Sequence, residues 1–319
     1  MDAPSYIKQF PKKRVLVIGD VMLDQYIEGS AERISPEAPI PVLLQKSIRN
    51  VLGGAGNVAA NAASLGARVT LIGVVGADVQ ARELRRLCAK SQVLAKFVTA
   101  KRPTTTKMRF VSGHHQLVRI DMEDASRIPP PIEAQIVRMI RALPRHDAVI
   151  ISDYAKGLMG KKIVDALREK FGAELLIADM KPSSAALYRG IRAITPNVKE
   201  AAEMTGVLAS SDALAARVTK TLGARLKTSI VLTRGEHGVS VREKGKECRH
   251  FRNSVQTVRD VTGAGDTLIA AFALLLATGA PFLEAAGIAN RAAGVVVGSA
   301  GTVALSRKEL EHALTAVIG

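Results

Sequence analysis

The sequence is poor in aromatic residues and in cysteine, and both scarcities exclude classes of function. It has no tryptophan, and Phe, Trp and Tyr together make up 3% of its 319 residues. Proteins that bind single-stranded nucleic acid stack bases on aromatic side chains, so nucleic acid is a disfavoured partner despite a formal net charge of +16. The two cysteines, Cys88 and Cys248, form no C-x-x-C pair and predict reduced thiols rather than a disulfide framework or a zinc site.

The sequence also has no apolar segment long enough to cross a bilayer. The longest candidate, residues 267–280, falls short of the ~20 residues that a membrane helix needs and predicts a core helix instead. The first residues, MDAPSYIKQFPKKR, contain no apolar run of the kind that a secretory signal carries. We therefore expect a cytoplasmic protein without a membrane partner, whose residues 1–319 form a single domain.

Short β-branched runs alternate with segments of helical spacing along most of the chain. This alternation predicts an α/β fold with a mainly parallel central sheet flanked by helices. Two segments, approximately 20–46 and 103–122, break the alternation, and the second is typical of a hairpin, so we expect them to form a small separate β-sheet. The predicted core strands cover residues 15–19, 69–75, 148–152, 175–179, 193–195 and 229–233. Ligands of such sheets bind at the carboxyl ends of the strands.

The strongest local signal is Asp260-Val-Thr-Gly-Ala-Gly-Asp266, followed at once by an apolar helix predicted over residues 267–278. A glycine-rich turn at a helix start presents backbone N–H groups at the positive end of the helix dipole, which suits a phosphate. Asp266 would repel a resting phosphate, yet it is placed to take a proton from an attacking hydroxyl during phosphoryl transfer. The alternative is that Asp266 only stabilises the helix N-terminus, and the motif alone does not decide between them.

A second glycine-rich turn, Gly53-Gly-Ala-Gly-Asn57, also enters a helix of small residues. Its Gly54-x-Gly56-x-x-Ala59 spacing matches the dinucleotide fingerprint, with Asp78 as the ribose-binding acid. That fingerprint should follow the first strand of a βαβ unit, whereas the first strand here runs into residues 20–24, so an NAD-dependent dehydrogenase is disfavoured. Close approach of a polyhydroxylated ligand to bare backbone, with Asn57 as a bidentate partner, and simple close helix packing both remain open.

Polar residues follow two of the predicted strands. Asp20 and Asp24 can accept hydrogen bonds from sugar hydroxyls, or they can act as ordinary loop-capping acids. Asn197 and Glu200 offer oxygen ligands of the kind that Mg²⁺ takes, although their spacing also allows a helix capping box.

Two further strand ends carry a lysine beside an acid. Lys156 follows Asp153, and Lys181 follows Asp179, and solvated charge is the simpler explanation of each pair. No G-x-x-x-x-G-K-[ST] motif occurs, so a phosphoryl-transfer enzyme with this sequence does not use the P-loop.

The two glycine-rich motifs, in this order, resemble those of the ribokinase-like (pfkB) carbohydrate kinase family. Stretches along nearly the whole chain are similar to the family's heptose 7-phosphate kinases, at residues 19–24, 33–39, 104–109, 152–157 and 195–197. The resemblance implies an ATP-dependent enzyme that phosphorylates the anomeric O1 of D-glycero-β-D-manno-heptose 7-phosphate, for ADP-heptose and lipopolysaccharide inner-core synthesis. Another sugar kinase of the family is the alternative.

The same resemblance implies an α/β core that binds ATP at its strand ends, and a β-sheet lid that covers the sugar and forms a homodimer interface. Mg²⁺ is the implied cofactor, and the need for a monovalent cation stays open. Residues 179–182, Asp-Met-Lys-Pro, depart from the Asp-Pro-Lys-Gly of the relatives, which leaves the shape of that loop open. Some relatives carry a C-terminal nucleotidyltransferase for which this chain has no room, so we expect a separate adenylyltransferase in the pathway.

Roles follow from the resemblance motif by motif. Asp266 is implied as the base that deprotonates the sugar hydroxyl, with Gly263, Ala264 and Gly265 as the anion hole. The residues implied around the sugar and its distal phosphate are Asp20, Asp24, Gly54, Asn57, Lys107, Arg109, Asp153, Lys156 and Lys181. Those implied around the nucleotide are Asn197, Thr233, Arg234, Gly235, Gly238, Thr262, Gly263, Gly265 and Asn290. The implied magnesium region is Asn197 and Glu200.

Overall fold

The computed structural model describes residues 3–113, 115–252, 263–297 and 304–315. Its strands, in chain order, are β1 (Arg14–Gly19), β2 (Val21–Ile34), β3 (Pro41–Gly54), β4 (Arg68–Val75), β5 (Val93–Thr99), β6 (Thr106–Ser112), β7 (His115–Met122), β8 (Ala148–Asp153), β9 (Leu176–Met180), β10 (Ala193–Ile194), β11 (Ser229–Thr233), β12 (Val239–Arg242) and β13 (Cys248–Phe251). Its helices are α1 (Ala3–Ile7), α2 (Ala55–Ser64), α3 (Val79–Lys90), α4 (Pro130–Ala142), α5 (Lys161–Phe171), α6 (Val198–Thr205), α7 (Asp212–Leu226), α8 (Ala264–Ala277), α9 (Phe282–Val297) and α10 (Arg307–Thr315).

The central sheet confirms the predicted α/β architecture. Within the described ranges it has nine strands in the order β13-β12-β11-β10-β9-β8-β1-β4-β5. All six predicted core strands are present and parallel, whereas β12 and β13 pair antiparallel at one edge. The chain builds outward from β1 to β5 and then returns to the other side of β1 with β8. This reversal of strand order is the place where open α/β sheets bind their ligands.

Apolar side chains of β1 contribute to the core on both faces of the central sheet. Successive strand residues point to opposite faces, and Val15 and Val17 pack in the cluster that includes α2, α8 and α9. Leu16 and Ile18 pack in the other cluster, which includes α4, α5 and α7. All four side chains are fully buried, so β1 is a fixed support for the residues that follow it.

A second sheet, which we call the lid, has the strand order β3-β2-β6-β7. The predicted hairpin over residues 103–122 is confirmed as β6 and β7. The other predicted lid segment, 20–46, was too short, because β3 continues to Gly54 in register with β2. Gly53 and Gly54 therefore end a lid strand rather than forming a free turn.

Both helices that follow the glycine-rich motifs begin inside the motif. Helix α8 begins at Ala264 rather than residue 267, because Gly263 takes the left-handed conformation (φ 86°) that starts the helix. Helix α2 begins at Ala55, after Gly54 with φ 54°. A Cβ at Gly54 would lie 2.5 Å from the carbonyl oxygen of Asp20, so close packing within the protein explains this glycine. Asp266 and Asn57 consequently each lie in the first turn of a helix.

Other predictions concern residues away from these motifs. Asp78 caps α3, because its carboxylate accepts from the backbone N–H of Ala81 at 2.8 Å and from Thr104. This structural role agrees with rejection of the dinucleotide fingerprint. Cys88 and Cys248 are free, as predicted. In the described ranges, no helix combines the length and the apolar character that a membrane span requires.

Candidate active site

Asp266 is a buried carboxylate at the start of α8, with 8% of the residue exposed. The side-chain amide of Asn57 donates to its Oδ2 at 2.6 Å, and the phenol hydroxyl of Tyr154 donates to its Oδ1 at 3.3 Å. Burial raises the pKa of Asp266 to about 6. Its two oxygens thus bond to side chains of other elements, which weighs against a role confined to capping α8. A carboxyl with this pKa is ionised at neutral pH and can accept a proton.

A chain of side-chain hydrogen bonds connects α2 to α8 behind Asp266. Asn61 donates to the backbone carbonyl of Asn57 at 2.9 Å and to its side-chain oxygen at 3.3 Å. Thr267 in turn donates to Asn61 Oδ1 at 2.8 Å. These buried bonds leave Asn57 oriented with its amide nitrogen toward Asp266, so the glycine-rich segments of the two helices form one site.

Asp20 connects three segments at the carboxyl end of β1. Its Oδ2 accepts from the backbone N–H of Tyr154 at 2.9 Å and of Lys156 at 3.0 Å. Its backbone carbonyl accepts from Ala55 N–H at 3.0 Å. Burial raises the pKa of Asp20 to about 6, while the bond from Lys156 opposes that rise. The loop-capping interpretation is therefore confirmed for Asp20 but wrong for Asp24, which lies within β2 and pairs with Arg109, and contact of either with a sugar hydroxyl stays a prediction.

The lid contributes charged side chains to the same region. Arg109 on β6 pairs with Asp24 on β2 at 2.6 Å, and both side chains are largely buried. Lys107 is half-buried, and this burial lowers the pKa of its ammonium. Its Nζ lies 5.9 Å from the centre of the Tyr154 ring. The structure thus brings Asp24, Lys107 and Arg109 together on the face of the lid that covers the strand ends.

The two lysines at strand ends are paired with glutamates rather than merely solvated. Lys156 contacts Glu123 at 2.6 Å, and Lys181 contacts Glu200 at 2.6 Å. The simpler interpretation as solvated charge was therefore wrong for both.

Asp153 uses both of its carboxylate oxygens within the protein. Oδ2 accepts from the hydroxyl of Tyr188 at 2.6 Å, and Oδ1 accepts from the backbone N–H of Ala155 at 2.9 Å. Asp153 is therefore held at the end of β8, and a contact with substrate would have to share these oxygens.

Asn197 and Glu200 form the capping box of α6. Glu200 N–H donates to Asn197 Oδ1, and Asn197 N–H donates to Glu200 Oε2, each at 3.0 Å. The capping interpretation is confirmed, and it leaves Glu200 Oε1 with Lys181 as its partner. Nearby, burial and the charge of Glu200 raise the pKa of Asp179 to about 8. Among the described residues no three His, Cys, Asp or Glu side chains are grouped as metal ligands.

The predicted nucleotide residues lie at and beyond the end of β11. Asn197 and Thr233 form a parallel bridge, which places α6 beside β11. Arg234 is 5% exposed, and its guanidinium contacts Asp212 at 2.5 Å and Ser240 at 3.1 Å. The Arg234 side chain is thus engaged within the protein, and a nucleotide contact for Thr233, Arg234 and Gly235 stays a prediction.

The remaining nucleotide predictions have different outcomes. Gly235 begins a short 3₁₀ turn that ends before Gly238. The amide nitrogen of Asn290 on α9 donates to the carbonyl oxygens of Phe251 and Arg252 at 3.4 and 3.1 Å, so it holds the end of β13. Thr262, like residues 260 and 261 of the late motif, lies outside the described residues. A nucleotide contact for each of these residues stays a prediction.

Tyr154 belongs to the site, although no role was predicted for it within the family-like stretch 152–157. It follows β8 directly and touches Asp266 through its hydroxyl, and Lys181 Nζ lies 5.4 Å from its ring centre. The available signal was its position two residues past the predicted strand 148–152, which ends in a polar residue. An aromatic side chain there is rare in a sequence with few aromatics, and that rarity could have drawn attention to it.

Comparisons with known proteins find relatives over most of the chain. The chain is 42% identical over 311 residues to "Bifunctional protein HldE" of Proteus mirabilis, and 42% identical over 306 residues to the protein of the same name of Azorhizobium caulinodans. These matches cover 97% and 94% of this chain but only 65% and 64% of the relatives. The chain therefore spans about two thirds of the length of the curated relatives it matches.

Solved structures of ribokinase-like enzymes share the fold. Phosphofructokinase-2 from Escherichia coli superposes with a TM-score of 0.80 at 18% identity, over 96% of this chain and 99% of that one. Ribokinase from Arabidopsis thaliana superposes with a TM-score of 0.75 at 18% identity, over 95% and 98% of the two chains. The family described as "pfkB family carbohydrate kinase" matches residues 12–309. Such a match covers nearly the whole chain, and the chain therefore belongs to the pfkB carbohydrate kinase family.

Proposed function

We propose that this kinase phosphorylates the anomeric O1 of D-glycero-β-D-manno-heptose 7-phosphate to the 1,7-bisphosphate. The observation that carries the proposal is the buried Asp266 at the start of α8, with basic side chains of the lid and of the strand ends around it. A substrate that already bears a phosphate requires such cations. The similarity along the chain to heptose 7-phosphate kinases supports this sugar over others of the family.

The chemistry follows from the position of the carboxylate. Asp266 accepts the proton of the anomeric hydroxyl as that oxygen forms a bond to the γ-phosphorus of ATP, and the bond from the γ-phosphorus to the bridging oxygen breaks to release ADP. The first N–H groups of α8, from Gly263 to Gly265, have no acceptor within the helix and suit the charge of the transferring phosphoryl group.

A coupled assay of ADP release tests the substrate. The protein is supplied with Mg²⁺-ATP and a panel of heptose 7-phosphate, heptose, fructose 6-phosphate and ribose, and kcat/KM is measured for each. We expect heptose 7-phosphate to give the highest value. Preference for one of the other sugars would leave the chain a sugar kinase and would refute the heptose phosphate assignment.

Asn197 and Glu200 carry oxygen donors of the kind that Mg²⁺ takes, and in the structure these oxygens also hold the α6 capping box and Lys181. Asn197 and Glu200 would hold the ion directly or through its water shell, and Mg²⁺ commonly takes only one or two protein groups beside phosphates. When bound, it would neutralise charge on the ATP phosphates. A monovalent cation is a further candidate, because one fold neighbour was solved in complex with potassium.

The Glu200→Gln variant separates metal binding from capping. Glutamine preserves the capping box, so we expect an unchanged melting temperature, whereas loss of the charge should raise the Mg²⁺ concentration for half-maximal rate by roughly 10-fold. The measurement is a Mg²⁺ titration of the rate beside a thermal melt. An unchanged Mg²⁺ titration would assign Glu200 to the capping box and its ion pair with Lys181 alone.

We further propose that two copies associate through the outer face of the lid. The strand register places Ile48, Phe110, Val118 and Ile120 on the face opposite to that of Lys107 and Arg109. Ile48, Val118 and Ile120 are 52%, 49% and 47% exposed. Contiguous exposed apolar side chains mark interaction surfaces, and a second copy would cover them with the same residues around a two-fold axis.

Light scattering of lid variants tests this dimer. We expect Val118→Asp to convert a dimeric parent into a monomer, because a carboxylate would then be buried at the interface without a partner. Leu208 is 58% exposed outside the lid, and Leu208→Asp is the matched control that should keep the parent's mass. A parent that is monomeric at micromolar concentration would contradict the proposal.

The product requires a partner reaction. A sugar 1-phosphate is the acceptor that a nucleotidyltransferase uses, and we propose that an adenylyltransferase consumes this bisphosphate after removal of its distal phosphate. Both steps consume ATP, which is consistent with a cytoplasmic location.

A further inference from the structure

Tyr154 joins the candidate base to two other parts of the site. Its phenol hydroxyl donates to Asp266 Oδ1 at 3.3 Å, and its backbone N–H donates to Asp20 Oδ2 at 2.9 Å. The centre of its ring lies 5.9 Å from Lys107 Nζ and 5.4 Å from Lys181 Nζ. No role assigned above accounts for a tyrosine at this point.

We propose that Tyr154 is the positioning residue of the base, and that its hydroxyl directs Asp266 Oδ1 toward the acceptor hydroxyl and keeps the carboxylate ionised. The inference rests on the proposed function, because a positioned base is needed only where Asp266 takes the substrate proton.

Two bonds from different elements fix the plane of the carboxylate. Asn57 on α2 holds Oδ2 at 2.6 Å, and Tyr154 after β8 holds Oδ1 at 3.3 Å. A carboxylate oxygen has two lone-pair sites, so Oδ1 can keep the phenol and still accept from a sugar hydroxyl. Oδ1, which accepts the longer of the two hydrogen bonds, is the oxygen that we assign to the proton transfer.

The surrounding charges determine whether the base is ionised. Burial raises the pKa of Asp266, and hydrogen bonds from Asn57 and Tyr154 lower it. The charge of Asp266 and burial raise the pKa of the Tyr154 phenol well above its usual value, so it stays a donor. Further charged groups face the pair from β2, β6 and β9 and from the loop after β9, namely Asp24, Lys107, Asp179 and Lys181.

Removal of the phenol oxygen should therefore make the base harder to ionise. A hydrogen bond to a charged group corresponds to a shift of about 1 to 2 pKa units, and we expect Tyr154→Phe to raise the pKa of Asp266 by that amount. At pH 6 the variant's kcat/KM should fall about 10-fold further below the parent than at pH 8, with an unchanged KM for ATP.

Carboxyl ¹³C NMR of aspartate-labelled protein measures this shift without turnover. The Asp266 signal is assigned by its loss in Asp266→Asn and then titrated in the parent, in Tyr154→Phe and in Tyr188→Phe. Tyr188 donates to Asp153 at 2.6 Å, so its variant removes a phenol from a different aspartate. We expect the Asp266 pKa to rise only in Tyr154→Phe. An equal pKa in all three proteins, or an equal rise in both variants, would overturn the inference.

The substrate assay tests the proposed function, and the NMR titration tests this inference. Failure of the parent to phosphorylate heptose 7-phosphate refutes the substrate, while the NMR titration still decides the role of Tyr154. Should Tyr154→Phe not fold, 3-fluorotyrosine at position 154 keeps the side chain and strengthens the donor, and the Asp266 pKa should then fall. A rise or no change would count against the proposal.

Discussion

The Asp266→Asn variant is expected to lose between 10² and 10⁴ of its kcat while its KM for ATP stays nearly unchanged. Asparagine has the same shape and can still bond to Asn57 and Tyr154, but it cannot accept the proton of the sugar hydroxyl. The measurement is steady-state ADP release together with ATP binding by calorimetry. A variant that turns over like the parent would reduce Asp266 to a residue that stabilises α8.

The melting temperature and the pH dependence of the rate provide controls for Asp266→Asn. Burial raises the pKa of Asp266 to about 6 from its usual 3.8, so ionisation of this group opposes folding increasingly as pH rises from about 4 to about 6. Asp266→Asn removes that cost, and we expect its melting temperature at pH 7 to be no lower than the parent's. The parent's rate should rise through about pH 6 as the base ionises, whereas the residual rate of the variant should lack this step.

Lys156 is expected to discriminate between a phosphorylated and a plain sugar. Its ammonium would lose a charge-assisted partner when the distal phosphate is absent. In the parent, kcat/KM should therefore strongly favour heptose 7-phosphate over heptose, and Lys156→Ala should shrink that preference about 10- to 100-fold, as expected for roughly 1.5–3 kcal/mol. The backbone bond from residue 156 to Asp20 survives in alanine, so the loop after β8 keeps its anchor.

The ion pair of Lys156 offers a second variant, for which the preference for the phosphorylated sugar should change in the opposite direction. Glu123 holds the ammonium at 2.6 Å with both side chains partly exposed. Glu123→Gln releases the full charge of Lys156 to the substrate, and the preference for the phosphorylated sugar should increase. Equal weakening of both sugars by Lys156→Ala would instead place this lysine at the transferring phosphoryl group or in the fold.

The buried strands of the central sheet could be predicted because they are continuous apolar runs. Strand β5 could not, because it lies at a sheet edge, and exposed residues such as Leu94 and Lys96 interrupt its pattern. The full length of β3 was also missed. Its middle is exposed and polar, and its pairing with β2 depends on a partner strand that no local pattern reveals.

Site residues within sequence motifs could be predicted, whereas contacts between distant residues could not. Glycine spacing located Asp266 and Asn57 on separate helices, but only the fold shows that their side chains touch at 2.6 Å. The pairing of the buried Arg234 with Asp212 depends on α7 packing beside β11. Tyr154 lies in the family-like stretch 152–157, but its role comes from neighbours on β6 and α8 and after β1 and β9, which only the fold brings together.

The hydrogen bond from Ala55 N–H to the carbonyl of Asp20 shows that the β2–β3 hairpin leaves and re-enters the core at a single point. Without residues 21–54, β1 would run directly into α2 and then β4 as an ordinary βαβ unit. This explains why a dinucleotide-like glycine spacing occurs far along the chain from β1. The hairpin is thus an insertion whose two ends meet, and insertions at such points are tolerated because the scaffold's own connections stay intact. Its distal strands can change in length and sequence while β1, α2 and α8 keep their places.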